Sequence, residues 1–384
     1  MLPLLFLLLA VLTSARQWRS IDDALLPLVA QMQPEPWTDV TSGHLGRMLI
    51  PRVAGTENNT IVREYIKSVF RDLAWHVEED AFTATTPEGD VEFVNVVATF
   101  DTAAPIKVVL AAHHDSKWFE GREFLGATDS AAPCAMLLDL AQALTPALRA
   151  RKTRLTNASD DEDDEDDFDE REAAQTTLQI VFFDGEEAFH DWTATDSIYG
   201  SRHLASHWES TFLPPNHPYH SFALTKRRMD PTPTVLSTIE HLVLLDLLGS
   251  PAPTIMQWYR ETGWLFNEMK RADERLRASG VVKRASGGEW FSPLSFGGTI
   301  EDDQVPFIER GVNVLHVIPY PFPSVWHTIK GPQDDASALD LPTMRRWNLI
   351  LRLFTLEYLG LDPTGNLERA ERSEEPWQSR HELT

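Results

Sequence analysis

Short, nearly unbroken apolar runs alternate with stretches of helical periodicity along most of the chain. The runs are VEFVNVVATF (91–100), IKVVLAAH (106–113), TLQIVFFD (177–184), HLVLLDLL (241–248) and VNVLHVIP (312–319). Each is short, rich in β-branched residues and apolar on both alternations, the pattern of a strand covered on both sheet faces. Ile61, Tyr65, Val69 and Leu73, joined by Val62 and Ile66, recur at helical spacing and predict an amphipathic helix from Glu57. Further helical patterns fall near 130–144, 199–208, 261–279 and 341–358. Strands alternating with helices predict an α/β fold of three layers, with a mostly parallel central sheet flanked by helices.

Organisation follows from the interruptions. Met1 to Thr13 is almost wholly apolar, shorter than the roughly 20 residues that span a bilayer, and ends at Thr13-Ser14-Ala15. It fits the apolar region and small-residue cleavage site of a secretory signal, so residues 1–15 are assigned to a signal peptide and the protein is expected to be secreted. No later stretch suits a membrane span, and stable membrane insertion is not expected. Residues 16–361 form a single α/β domain with an acidic loop insertion at 157–173, and 362–384 a charged tail. The sequons at Asn58 and Asn157 are compatible with the secretory route and with glycosylation.

Composition sharpens this picture in two places. Against 34 Lys and Arg stand 58 Asp and Glu, a formal charge of −24 that disfavours nucleic-acid binding. The segment from Asp160 to Glu172 holds eleven of the acids and one Arg, and without it the balance is 47 acids to 33 bases. Such a run repels itself and buries nothing, as in a solvated loop. The lone Cys134 excludes an intramolecular disulfide and any zinc site needing two thiolates.

Sites in open α/β sheets collect at the carboxyl ends of the strands, so the polar residues that end the apolar runs carry the chemistry. IKVVLAA ends in His113-His114-Asp115; TLQIVFF ends in Asp184-Gly185-Glu186-Glu187; VNVLHVIP leads to Trp326-His327. Asp129 follows a Gly126-Ala127-Thr128 turn, and Asp246 sits among leucines, where a carboxylate needs a metal, a cation or hydrogen-bond donors. A carboxylate satisfied by backbone amides remains the alternative for Asp246, and satisfied core histidines for His113 and His114. Adjacent side chains in extended chain point apart, so one of Glu186 and Glu187 can bind a metal while the other faces substrate as general base. Asp129, Glu187 and His327 form an oxygen, oxygen, nitrogen set suited to a catalytic zinc with an open position. The residues alone reach a metal-assisted enzyme acting on an amide or ester.

The blocks AAHHDSKWF, GATDSAAPCAMLLDLAQAL, QIVFFDGEEAFHDWTATDSIYGSRHLA, LLDLLG, GGTIEDDQVPF and LHVIPYPFPSVWHT resemble the glutaminyl-peptide cyclotransferases (glutaminyl cyclases), within the zinc aminopeptidase superfamily. The resemblance runs in order from about Ser42 to Leu361. It implies one zinc per chain on Asp129, Glu187 and His327, and Glu186 as general acid/base. It further implies a buried network of Asp246, Asp302 and His316 beside Glu186, and a pocket lined by Trp192, Phe322 and Trp326. The implied reaction is cyclisation of N-terminal glutamine of peptides or proteins to pyroglutamate with release of ammonia, by a monomer. His113 and Asp115 match positions that help hold a second metal in the aminopeptidases.

Departures from the family pattern are visible. Ala112 stands where animal members carry a cysteine paired with the one matching Cys134, so Cys134 is expected to be a free buried thiol. Gln304 replaces a common His and Glu301 a common Gln, and the acidic run and the Pro-rich stretch Leu213–Thr234 have no family equivalent. Two rival readings stay open: a two-metal aminopeptidase of the same fold, for which every nominal ligand is present, and a catalytically inactive binding module.

Overall fold

The structure, a computed structural model, describes residues 18–32, 43–157, 170–228, 230–295, 298, 300–328, 330–331 and 333–366. The signal segment, most of the acidic insertion and nearly all of the tail lie outside the described residues. Six strands make one twisted mixed sheet: β1 (His76–Thr86), β2 (Gly89–Thr99), β3 (Ile106–His113), β4 (Thr176–Phe183), β5 (Ile239–Leu245) and, after a small β6–β7 pair (Ile255–Gln257 and Phe291–Ser295), β8 (Val314–Val317). The order is β1-β2-β4-β3-β5-β8. Strands β4, β3, β5 and β8 run parallel, while β1 and β2 form an antiparallel hairpin at one edge. Every residue of β3 and β4 is buried, as their unbroken apolar sequences require. β1 is a strand that no apolar run predicts: it reads HVEEDAFTATT and is largely exposed.

Helices cover both faces. Thr56 caps the helix Glu57–Asp72, its hydroxyl accepting the Asn59 amide. The buried stripe is Val62, Ile66, Val69 and Phe70; Ile61, expected on that face, is 52% exposed because the stripe is offset by one residue. The helix expected near 130–144 runs from Ala132 to Asn157 despite Pro146. An internal proline removes one hydrogen bond and strains the turn before it, but Ala143, Leu144, Ala147 and Leu148 are buried across it and carry the helix through. Asp340 caps Leu341–Leu359, which ends at Gly360 in the left-handed region.

Two buried ion pairs lock Leu341–Leu359 to Ala132–Asn157 and to a further helix, Gly263–Ala278. Arg352 meets Asp139 at 2.8 Å, and Arg346 meets Asp273 at 2.6 and 2.8 Å while lying 3.7 Å over the Trp290 ring. Removing one partner of such a pair strands a buried charge. Arg352→Met is expected to lose about 3–5 kcal/mol in urea unfolding; a loss near zero would contradict the pair's role.

Cys134 is free and buried, as the missing partner at Ala112 implied. Burial pushes its thiol up to about 12, so the reactive thiolate is scarce at ordinary pH. A disulfide reagent at pH 8 should leave native Cys134 unmodified and label it fully in denaturant; rapid native labelling would contradict this.

Candidate active site

The parallel order of β4, β3 and β5 brings their carboxyl ends side by side. Glu186 and Glu187 follow β4, His113 ends β3, and Asp246 directly follows β5. The turn into Asp129 is forced by sterics: Gly126 has φ +52°, and a Cβ there would lie 2.0 Å from the Asp129 carbonyl oxygen. Gly185, with φ +72°, has no room for a side chain either, since a Cβ there would lie 2.4 Å from the Phe93 ring. Of the non-glycine residues with left-handed backbone, His327 and Leu247 line the site, and the Ile198 amide donates to the Glu186 carbonyl.

These residues surround a cavity of about 450 Å³. It is lined by Asp129, Glu186, Glu187, Asp246 and Asp302, by Trp192, Phe322 and Trp326, and by His327. Every site residue expected from sequence therefore converges here except His316, which lies behind Asp302 and shares a hydrogen bond of 2.8 Å between its Nε2 and Asp302 Oδ2. The Asp303 amide donates to the other oxygen of Asp302 at 2.6 Å. Ser130 Oγ donates to Asp246 Oδ1, so the carboxylate among leucines has a donor as well as a place beside His113 and Asp129.

Ligand atoms of Asp129, Glu187 and His327 lie within 4.8 Å of one another. His327 Nε2 stands 3.2 Å from both Asp129 Oδ2 and Glu187 Oε1. Asp129 Oδ2 is buried without a hydrogen bond. A buried carboxylate oxygen left bare beside an imidazole and a second carboxylate is what a divalent metal with oxygen and nitrogen ligands fits. His113, Asp129 and Asp246 form a second group within the same 4.8 Å limit, sharing Asp129. There both ring nitrogens of His113 already face carboxylates, Asp115 at 3.3 Å and Asp129 at 3.0 Å.

Electrostatics follow from crowding. Burial pushes Glu186 well above the usual carboxylate range, and Glu187, Asp302 and Asp303 reinforce the shift against the pull of His113. Burial and Asp302 push Asp246 up to about 6. Burial would discharge His327, but Glu187 and Asp129 overcome it and raise the ring to about 10. These directions are those of carboxylates too close together for all to ionise.

Several residues of the site carry no signal in the sequence. Arg52 is fully buried and donates to the carbonyls of His114, Leu125, Gly126 and Asp129, clamping the turn that carries Asp129. Asp334 accepts from the amide and hydroxyl of Thr128 at 2.8 and 3.0 Å. Asp115, which the sequence does mark at the end of an apolar run, accepts the amides of both Glu186 and Glu187 at 3.2 Å. Lys117 reaches Glu187 Oε2 at 3.4 Å and the Ala188 carbonyl at 2.9 Å. Among the residues not marked, Asp303 could have been found through its adjacency to Asp302.

The sequence matches Peptidase family M28 over residues 95–355. It is 41% identical over 325 residues to the glutaminyl-peptide cyclotransferase of Drosophila melanogaster, covering 82% of this chain and 79% of that protein. The chain belongs to the glutaminyl-peptide cyclotransferase family. A glutaminyl-peptide cyclotransferase-like protein of Mus musculus is 40% identical over 89% of this chain and 80% of its own length. The crystal structure of Macrostomum lignano glutaminyl cyclase superposes with a TM-score of 0.74 at 35% identity, covering 91% of this chain and 97% of that one. A Zn-dependent exopeptidase from Parabacteroides distasonis, 19% identical with a TM-score of 0.55 over 89% of this chain and 99% of its own, shares the fold alone.

Between Asp129 and Glu187 the His327 ring is held protonated. The folded value near 10 exceeds the unfolded one of about 6.5, so this proton stabilises the fold fully below about pH 6.5 and its contribution is lost as pH rises through 10. Zn²⁺ bound by these three residues at pH 7 would displace it. Calorimetry in buffers of different ionisation enthalpy should find about one proton released per ion; no release would contradict the arrangement.

Proposed function

We propose that this protein cyclises the N-terminal glutamine of peptides and proteins to pyroglutamate and releases ammonia, with one zinc ion on Asp129, Glu187 and His327. The observation that carries the reading is the place of Glu186: a buried carboxyl of raised pKa lining the same cavity as the ligand triad, with Asp246 and Asp302. A zinc ion bound there would supply Lewis acidity to the side-chain amide oxygen of the substrate. The residues of the chain supply the rest. Glu186 takes a proton from the α-amine as its nitrogen bonds the side-chain amide carbon, then delivers it to the departing ammonia. A carboxyl with a raised pKa is suited to hold that proton between the two steps. Asp302, fixed by His316 and the Asp303 amide, and Asp246, fixed by Ser130, are placed to accept hydrogen bonds from the nitrogen that arrives or leaves.

The aromatic wall restrains the substrate. Trp326 stacks on His327 with ring centroids 4.2 Å apart, and Phe322 meets Trp326 edge-on at 4.7 Å. With Trp192 they form an apolar sleeve for the glutamine methylenes, holding amine and amide in the near-attack geometry that an intramolecular step needs. The apolar opening from Met1 to Thr13 and its small-residue end support a secreted protein with peptide substrates.

The grouping of His113, Asp129 and Asp246 favours one rival, a two-metal aminopeptidase. Incubation with a Gln-initiated peptide separates them: cyclisation gives ammonia and a mass loss of about 17 Da, whereas free glutamine would overturn the proposal. Glu186→Gln, which keeps shape but loses the proton carrier, should lower kcat by about 10²–10⁴-fold with metal content unchanged; full activity would remove Glu186 from the mechanism.

A further inference from the structure

The segment after Glu187 leaves the sheet, carries Trp192 to the cavity mouth and returns to the helix Tyr199–Ser210. Its two ends are tied by backbone: the Ile198 amide donates to the Glu186 carbonyl at 2.8 Å and the Tyr199 amide to the Gly185 carbonyl at 2.7 Å. Between these ties the outgoing limb has no strand or helix to satisfy its amides. One side chain on the returning limb does so. Asp196 Oδ1 accepts the Phe189 amide at 2.9 Å and the Tyr199 hydroxyl at 2.8 Å. Its Oδ2 accepts the amides of His190 at 2.9 Å and Asp191 at 3.2 Å. The residue is 6% exposed. Four donors on one buried carboxylate make a brace between the two limbs, since charge-assisted bonds to amides are the stronger kind.

Trp192 follows directly on the third of those amides. The indole is 39% exposed, and its one hydrogen bond among the described residues runs from Nε1 to Glu301 Oε2 at 3.2 Å. Its position is therefore set mainly by the backbone that leads to it, and drift of that backbone would loosen the wall against which the substrate binds.

We propose that Asp196 is a positioning residue for the substrate: it fixes the limb 189–191 and thereby holds Trp192 in place as one wall of the glutamine pocket. This rests on the cyclase reading above. The metal ligands lie outside the brace, so the assignment separates Asp196 from metal binding. An asparagine at this position keeps the size but turns an NH₂ group towards backbone N–H donors, leaving amides unpaired.

The test is a cycle of Asp196→Asn, Trp192→Ala and the double variant, with KM and kcat measured separately on a Gln-initiated peptide. Asp196→Asn should raise KM about tenfold with kcat within about threefold of the parent, and Trp192→Ala should do the same. The double variant should be no worse than the poorer single one, because both changes remove one interaction. Multiplying effects, a loss confined to kcat, or a tenfold weaker Zn²⁺ affinity in Asp196→Asn would each overturn the proposal. If Asp196→Asn does not fold, Tyr199→Phe removes one donor to the brace and should raise KM about twofold at constant kcat; an unchanged KM overturns it. Absence of cyclisation by the parent protein would instead defeat the underlying functional reading.

Discussion

Carboxylates crowded at the buried end of a parallel sheet repel one another and resist desolvation, and the rest of the structure is arranged around that constraint. Asp115, Asp129, Glu186, Glu187, Asp246, Asp302 and Asp303 are all buried within or beside one cavity. Such a group persists only if cations, protons or donors compensate it. Three kinds of compensation are visible: backbone and hydroxyl donors to Asp115, Asp246 and Asp302, a raised proton affinity at Glu186 and Asp246, and the imidazole of His327 between Asp129 and Glu187. A divalent metal on Asp129, Glu187 and His327 would replace the last of these with a stronger charge and leave Glu186 free to take up and return a proton.

The supporting frame works through backbone rather than direct contact with substrate. Arg52 is enclosed by carbonyl oxygens on both sides of the turn that presents Asp129, so its buried charge is spent on holding main chain. Asp334 grips the same turn through Thr128. Asp115 grips the amides of the two glutamates, and Asp196 does the same for the limb that follows them. Asp129, Glu186 and Glu187 are thus fixed through the main chain by partners one layer further out, the kind of support that preorganised sites require.

What the sequence disclosed depended on contrast. Asp246 stands out because a carboxylate among leucines conflicts with its surroundings, and Glu186-Glu187 because they close an apolar run. Asp302 and Trp192 have no such contrast and are reached through the family resemblance, while His316 stands out as a polar residue inside an apolar run. Arg52 and Asp196 leave no local signal, since their partners are carbonyls and amides of the main chain, which every residue carries. The same logic explains β1: its polar, exposed residues pair by backbone with β2 and need no apolar pattern. The helix through Pro146 outruns its predicted end because packing across the proline outweighs the local penalty.

The central claim is that one metal ion organises this cluster and that Glu186 stays outside its ligands. Anomalous diffraction at the zinc edge from crystals of the zinc-loaded protein tests it most directly. The account predicts a single peak bonded to Asp129, Glu187 and His327, with Glu186 unligated. A second peak of comparable height between His113, Asp129 and Asp246, or a peak bonded to Glu186, would contradict it.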